Sequence, residues 1–144
     1  MIKRKLFISD GLGLNPEQVV LMGDFCNFCA DHFPITGGFK VFVVDDRELH
    51  DIPTTAAYHR GRNIIKVYGK NRALVDILRS IAHELTHMQQ MIENRITFPV
   101  QDVGGEIEDE ANSKAGEIIK SFAQSEEKRK RIYESKNRIK DRSR

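Results

Sequence analysis

Residues 73 to 92 read ALVDILRSIAHELTHMQQMI, and the rest of the chain is best read outward from them. Leu74, Ile77, Leu78, Ile81, Leu85, Met88 and Ile92 step by three and four, the spacing of one face of an α-helix. The pattern predicts a helix from about Ala73 to Ile92, apolar along one side. Inside it lies His83-Glu84-Leu85-Thr86-His87. At about 100° per residue, positions four apart differ by about 40° and one turn of rise. Both imidazoles therefore leave the helix on one side and can share one metal ion, with Glu84 beside them and off the ligand axis.

Toward the N-terminus, Thr54 to His59 and Asn63 to Tyr68 flank Arg60-Gly61-Arg62, which predicts a hairpin with Gly61 supplying a positive φ. Phe39 to Val44, β-branched and aromatic and closed by Asp45-Asp46, predicts a further strand. Asn15 as N-cap, Pro16 in the first turn and apolar Met22, Phe25, Cys26, Cys29 and Phe33 predict a helix up to Pro34. No strand of useful length is expected before Gly11-Leu12-Gly13, so that glycine pair gives little support to a nucleotide site. Toward the C-terminus, Thr97 to Val103 reads as irregular. Gly104-Gly105 then precedes a third helix from about Glu106 to Gln124. The order of elements is that of an α+β domain over residues 1–124, with a sheet of about three strands packed on the motif helix and two further helices. Residues 125–144 are expected to form a basic tail, helical or flexible and solvated.

H-E-x-x-H is the pattern of zinc hydrolases, in which the carboxylate takes a proton from water and returns it to the leaving amine. Such a site needs a third protein ligand. Glu93 falls where a metzincin has its third histidine, but Gln90 replaces the glycine that turns the chain back there. Better candidates lie in Glu106-Ile107-Glu108-Asp109-Glu110-Ala111-Asn112, on a helix that a ten-residue connection can bring back against the first. Glu108 and Glu110 both remain open on that ground.

H-E-x-x-H followed about twenty residues later by Glu108-Asp109-Glu110-Ala111 resembles a gluzincin-type zinc metallopeptidase, and most nearly the minimal, often phage-encoded group of the ImmA/IrrE kind. The resemblance covers about residues 55 to 122. It implies a zincin-like fold, one Zn²⁺ held by His83, His87 and Glu108, Glu84 as general base, and Asn112 orienting a ligand histidine. It also implies a peptide or protein substrate bound in extended form along one strand of the hairpin. Tyr58 and His59, on that hairpin, are candidates for stabilising the transition state. Lys114-Ala115 departs from the usual Phe-Ala pair of the group, and no helix-turn-helix is recognisable.

Other readings compete at each point. Two histidines one turn apart can be ordinary half-buried side chains, and four acidic residues suit the positive end of a helix without any metal. The fold could also hold zinc for stability, or bind a partner without cutting it. Cys26 and Cys29 have no second pair and read as core, while His32, His50 and His59 stand alone.

Composition bounds these readings. The chain has 144 residues, enough for one core, with 23 Lys and Arg against 21 Asp and Glu. Residues 125–144 hold nine Lys and Arg against four Asp and Glu, which leaves a body of 14 against 17. A body of that sign offers no basic surface to extend the tail, so nucleic acid is not the expected partner. No apolar run of about twenty residues is present and the start does not read as a signal peptide, so no membrane association and a cytoplasmic location are expected.

Overall fold

The chain opens on a strand where none was expected. In the computed structural model, which describes residues 4–33, 35, 38–50, 52, 55–59, 62–93, 95, 105–134 and 138–139, Arg4–Ile8 forms β1. It pairs in parallel with a strand formed later, which fixes its register through Phe7 opposite Phe42. The two rings stack at 4.6 Å. Five residues carry too few alternations to be recognised alone, and the pairing partner lies more than thirty residues on. The strand leads through a short 3-10 turn, Asp10–Leu12, into α1 (Pro16–His32). The Asn15 side chain accepts from the Gln18 backbone N–H, and the Gln18 side chain accepts from that of Asn15, a reciprocal cap. Met22, Phe25, Cys26 and Cys29 are buried along one side of α1, followed by Phe33 at its end.

β2 (Phe39–Val44), β3 (Ala56–His59) and β4 (Ile64–Tyr68) complete a four-stranded sheet in the order β1-β2-β4-β3. The expected hairpin is present, β3 against β4, and Asn63 at the start of the second arm takes positive φ at 52°. Gly61, expected to play that part, lies outside the described residues, as do Pro34, Thr54 and Thr97 to Val103. The expectation of about three strands is thus corrected to four. β1, β2 and β4 run parallel, and β3 is antiparallel at the edge.

Among the described residues, one face of the sheet is the more deeply buried, although Val44 on the other face is buried too. Phe39, Val41 and Val43 of β2 and Ile65 and Val67 of β4 are buried, and they alternate with Lys40, Phe42 and Lys66, which are not. The strands keep this two-sided pattern although three are parallel, because the helices pack on a single face. The negative balance of the body therefore does not exclude local basic surface: Lys5, Lys40 and Lys66 share the outer face.

After the two-residue strand β5 (Arg72–Ala73) comes α2 (Leu74–Ile92), which lies across the inner face, within a residue of the predicted span. Gly69 permits the approach, since a Cβ there would stand 3.0 Å from Val43 and 3.3 Å from Ile77. α3 (Gly105–Ser125) packs along α2 and buries Ala111, Ala115, Ile118, Ile119 and Phe122.

The tail departs from a solvated α-helix. Glu127–Tyr133 is a 3-10 helix with Ile132 buried against the core, the Arg129 guanidinium 4.5 Å over the Phe122 ring, and Arg131 paired with Glu17 of α1. Farther on, β6 (Arg138–Ile139) pairs with β5. Apolar Ile132 and the arginine stems supply a seam that the charge count conceals. Among the described residues, no helix is long and apolar enough to cross a membrane.

Candidate metal centre

The apolar stripe of α2 faces the sheet, and 3.6 residues per turn rotate His83 and His87 to the border of that stripe, toward α3. α3 starts with a run of acids and returns beside α2, so its first full turn meets the two imidazoles. Glu108 is the acid that reaches them. Its Oε1 lies 3.0 Å from His83 Nε2 and its Oε2 lies 2.9 Å from His87 Nε2. The two Nε2 atoms are 3.1 Å apart, with the rings edge to face. Among the described residues this is the cluster of three or more His, Cys, Asp or Glu side chains whose ligand atoms converge, all within 4.8 Å.

The donor set and its spacing suit zinc. Two imidazole nitrogens and a carboxylate are a standard three-residue set, and tetrahedral bonds of about 2.0–2.1 Å place neighbouring ligand atoms about 3.3 Å apart. The observed edges of 2.9 to 3.1 Å fall a few tenths short of that figure, and small side-chain rotations close the difference. One imidazole proton can occupy the space between two nitrogens, yet three acceptor-bearing groups point at one spot. A cation at that spot satisfies all of them together.

Each histidine is also held from behind. His83 is hydrogen-bonded by the side chain of Asn112, one turn past Glu108 on α3, the position singled out from the sequence. His87 Nδ1 is 2.8 Å from Gln90 Oε1. Gln90 is fully buried, and its Nε2 donates to the Ile107 carbonyl at 3.1 Å and to Glu110 Oε1 at 2.6 Å. Glu110, the rival third ligand, is thereby turned away from the cluster and paired with Arg95 at 2.8 Å. Glu93 is likewise elsewhere, accepting from Gln89 at the end of α2.

Glu84 shares the wall of a cleft of about 390 Å³ with His83, Asn112, Thr55, Ala56, Arg72 and Arg79. Burial pushes its carboxyl up to about 7, with His87 opposing the rise and the negative Glu108 adding to it. Burial, with help from His87, lowers the pKa of His83 against the pull of Glu108 and Asn112, which favours the neutral ring that a metal needs.

Tyr58 and His59 are not among the residues lining this cleft. Strand alternation turns Ala56 and Tyr58 toward the core and His59 the other way, so the cleft receives the start of β3 and not its end. Cys26 and Cys29 are buried, and burial raises the Cys29 thiol well above its usual range, in keeping with a core role. His32 stacks on Phe28 at the surface of α1. Gln90 and Arg72 are the neighbours of the site that sequence reasoning missed. A glutamine three residues past His87, on the side of the helix that packs, was the available signal for the first. The chain matches no protein-family model, no curated protein and no solved structure.

Proposed function

We propose that this protein is a zinc-dependent peptidase of the gluzincin type, resembling the minimal ImmA/IrrE-like group. His83, His87 and Glu108 hold the ion and Glu84 is the general base. The convergence of those three ligand atoms beside a half-buried, proton-accepting Glu84 supports this reading above any other feature. A structural zinc site would use a fourth protein ligand, and among the described residues three converge here. When bound, zinc supplies a Lewis acid that makes a coordinated water acidic near neutral pH.

The chain's own groups account for the remaining steps. Glu84 holds a water against the scissile carbonyl and takes its proton as the new C–O bond forms. It then delivers that proton to the amide nitrogen as the C–N bond breaks, leaving a carboxylate and an amine. Asn112 and Gln90 hold the imidazoles in place. Among the described residues β3 is the edge strand beside the cleft, whereas β4 is enclosed between β2 and β3, so β3 is the arm of the hairpin that would receive an extended peptide. Arg72 and Arg79 line the cleft together with two carboxylates, Glu84 and Asp76, and Asp76 pairs with Arg79 at 3.0 Å; the two guanidinium groups are the ones that would receive an acidic side chain of the substrate.

Metal analysis and Glu84→Gln test this function. Elemental analysis of the purified chain should find about one zinc. Glu84→Gln should retain it while hydrolysis of a sensitive peptide falls by about 10² to 10⁴. A variant that keeps full activity removes Glu84 from the mechanism. A chain that holds zinc but cleaves no member of a broad peptide library supports a zinc-stabilised binding module instead.

A further inference from the structure

We propose that Gln90 is a positioning residue that carries the charge of Glu110 to His87 and so sets the zinc affinity of the site. This inference rests on the metal-binding half of the function above.

The side-chain amide can be oriented from its surroundings. One end of Gln90 sits between the Ile107 carbonyl and the Glu110 carboxylate, both acceptors, at 3.1 and 2.6 Å. Only the NH₂ group can occupy that end, and its two hydrogens meet two acceptors. The other end is therefore the amide oxygen, 2.8 Å from His87 Nδ1. An oxygen accepts, so His87 must carry its proton on Nδ1. The lone pair then lies on Nε2, the atom that faces His83 and Glu108. The alternative is costly: a flipped amide would set the oxygen of the fully buried Gln90 against a carbonyl and a carboxylate.

The same side chain also fixes the opposite ligand. Ile107 and Glu110 flank Glu108 in the first turns of α3, so the NH₂ end holds the backbone that presents Glu108 while the oxygen end holds the ring of His87. A negative Glu110 polarises the amide and makes its oxygen a stronger acceptor, as coupled hydrogen bonds do. Zinc-binding histidines commonly donate directly to a carboxylate. Here an amide stands between the two, and Arg95 shares with it the same oxygen of Glu110, Oε1, at 2.8 Å.

The test is a double-mutant cycle read as zinc affinity, measured by competition with a chromogenic chelator, with the melting temperature of each metal-free protein recorded in parallel. Gln90→Leu should weaken zinc binding by about 10- to 100-fold, the range for loss of an outer partner. Glu110→Gln should weaken it by a smaller factor, and should add nothing once Gln90 is leucine, because its effect passes through the amide. Unchanged affinity in Gln90→Leu overturns the proposal. So does a Glu110→Gln effect of equal size with and without Gln90. If Gln90→Leu does not fold, Glu110→Gln alone decides, since that side chain is part-exposed beside Arg95: unchanged zinc affinity refutes the relay. A purely structural tie between α2 and α3 lowers the melting temperature and leaves zinc affinity where it was. A wild-type chain that binds no zinc overturns the metal site itself, an outcome distinct from the others.

Discussion

Zinc should clamp two helices that are otherwise joined at this point by packing and the hydrogen bonds of Gln90, and the clamp can be measured as heat stability. His83 and His87 come from α2 and Glu108 from α3, so the ligand set exists only when the helices are docked. A ligand that binds only the folded state at 100 times its dissociation constant stabilises by about 2.7 kcal/mol. For a chain of 144 residues the unfolding entropy is about 300 cal/mol/K, so that energy raises the melting temperature by about 9 °C. Glu108→Ala leaves two histidines on one helix. If affinity falls 100-fold at the same free zinc, the remaining stabilisation is about 0.4 kcal/mol and the shift about 1 °C. The assay is differential scanning calorimetry of each protein with chelator and with buffered zinc, so that each variant is its own reference. A wild-type chain that carries one zinc yet melts at the same temperature with and without it refutes the two-helix clamp. A Glu108→Ala variant that keeps the full shift removes Glu108 from the ligand set.

Further outcomes follow from other parts of the molecule. Ile132→Ala should destabilise by about 3 kcal/mol, or about 10 °C, because that side chain is 1 % exposed, whereas Leu49→Ala, at a position 76 % exposed, should change stability by less than about 0.5 kcal/mol; equal effects in thermal unfolding would show that the tail does not pack. Cys26 and Cys29 should react with a thiol reagent at neutral pH only after unfolding, and rapid labelling of the native protein would contradict their burial. Arg79→Ala should reduce kcat/KM by up to about fivefold for peptides with an acidic side chain at the Arg79 end of the cleft, and leave neutral peptides unchanged; equal losses for both would remove the charge preference.

Local signals made most of the fold legible. α2 announces itself through seven apolar positions at helical spacing, α1 through its Asn15-Pro16 start, and β2 through a run of branched and aromatic residues. What escaped depends on partners distant in sequence. β1 is a strand because β2 pairs with it, and five residues containing Arg4 and Lys5 show no such commitment by themselves. The 3-10 helix at 127–133 is similar: one isoleucine among charges looks solvated until α1 and α3 provide the surfaces that Ile132 and Arg129 cover.

The candidate site divides along the same line. His83, Glu84 and His87 lie within five residues, so helix geometry alone brings them together. Choosing between Glu108 and Glu110 required a second helix. Positions two apart on a helix differ by about 200°, so once one of them faces the histidines the other must point away. The surroundings then give the second a different task. Glu110 is drawn toward Gln90 and Arg95 while Glu108 meets both Nε2 atoms, and the residue that separates their roles is Gln90. In the sequence Gln90 is notable only for not being a glycine. Between two packed helices it has an oxygen for the imidazole and an NH₂ for the opposite backbone, and a buried glutamine of that kind makes the docking of α3 and the orientation of His87 a single event. Loosening α3 should therefore disturb the proposed zinc site from both sides at once, through Glu108 directly and through His87 by way of the amide.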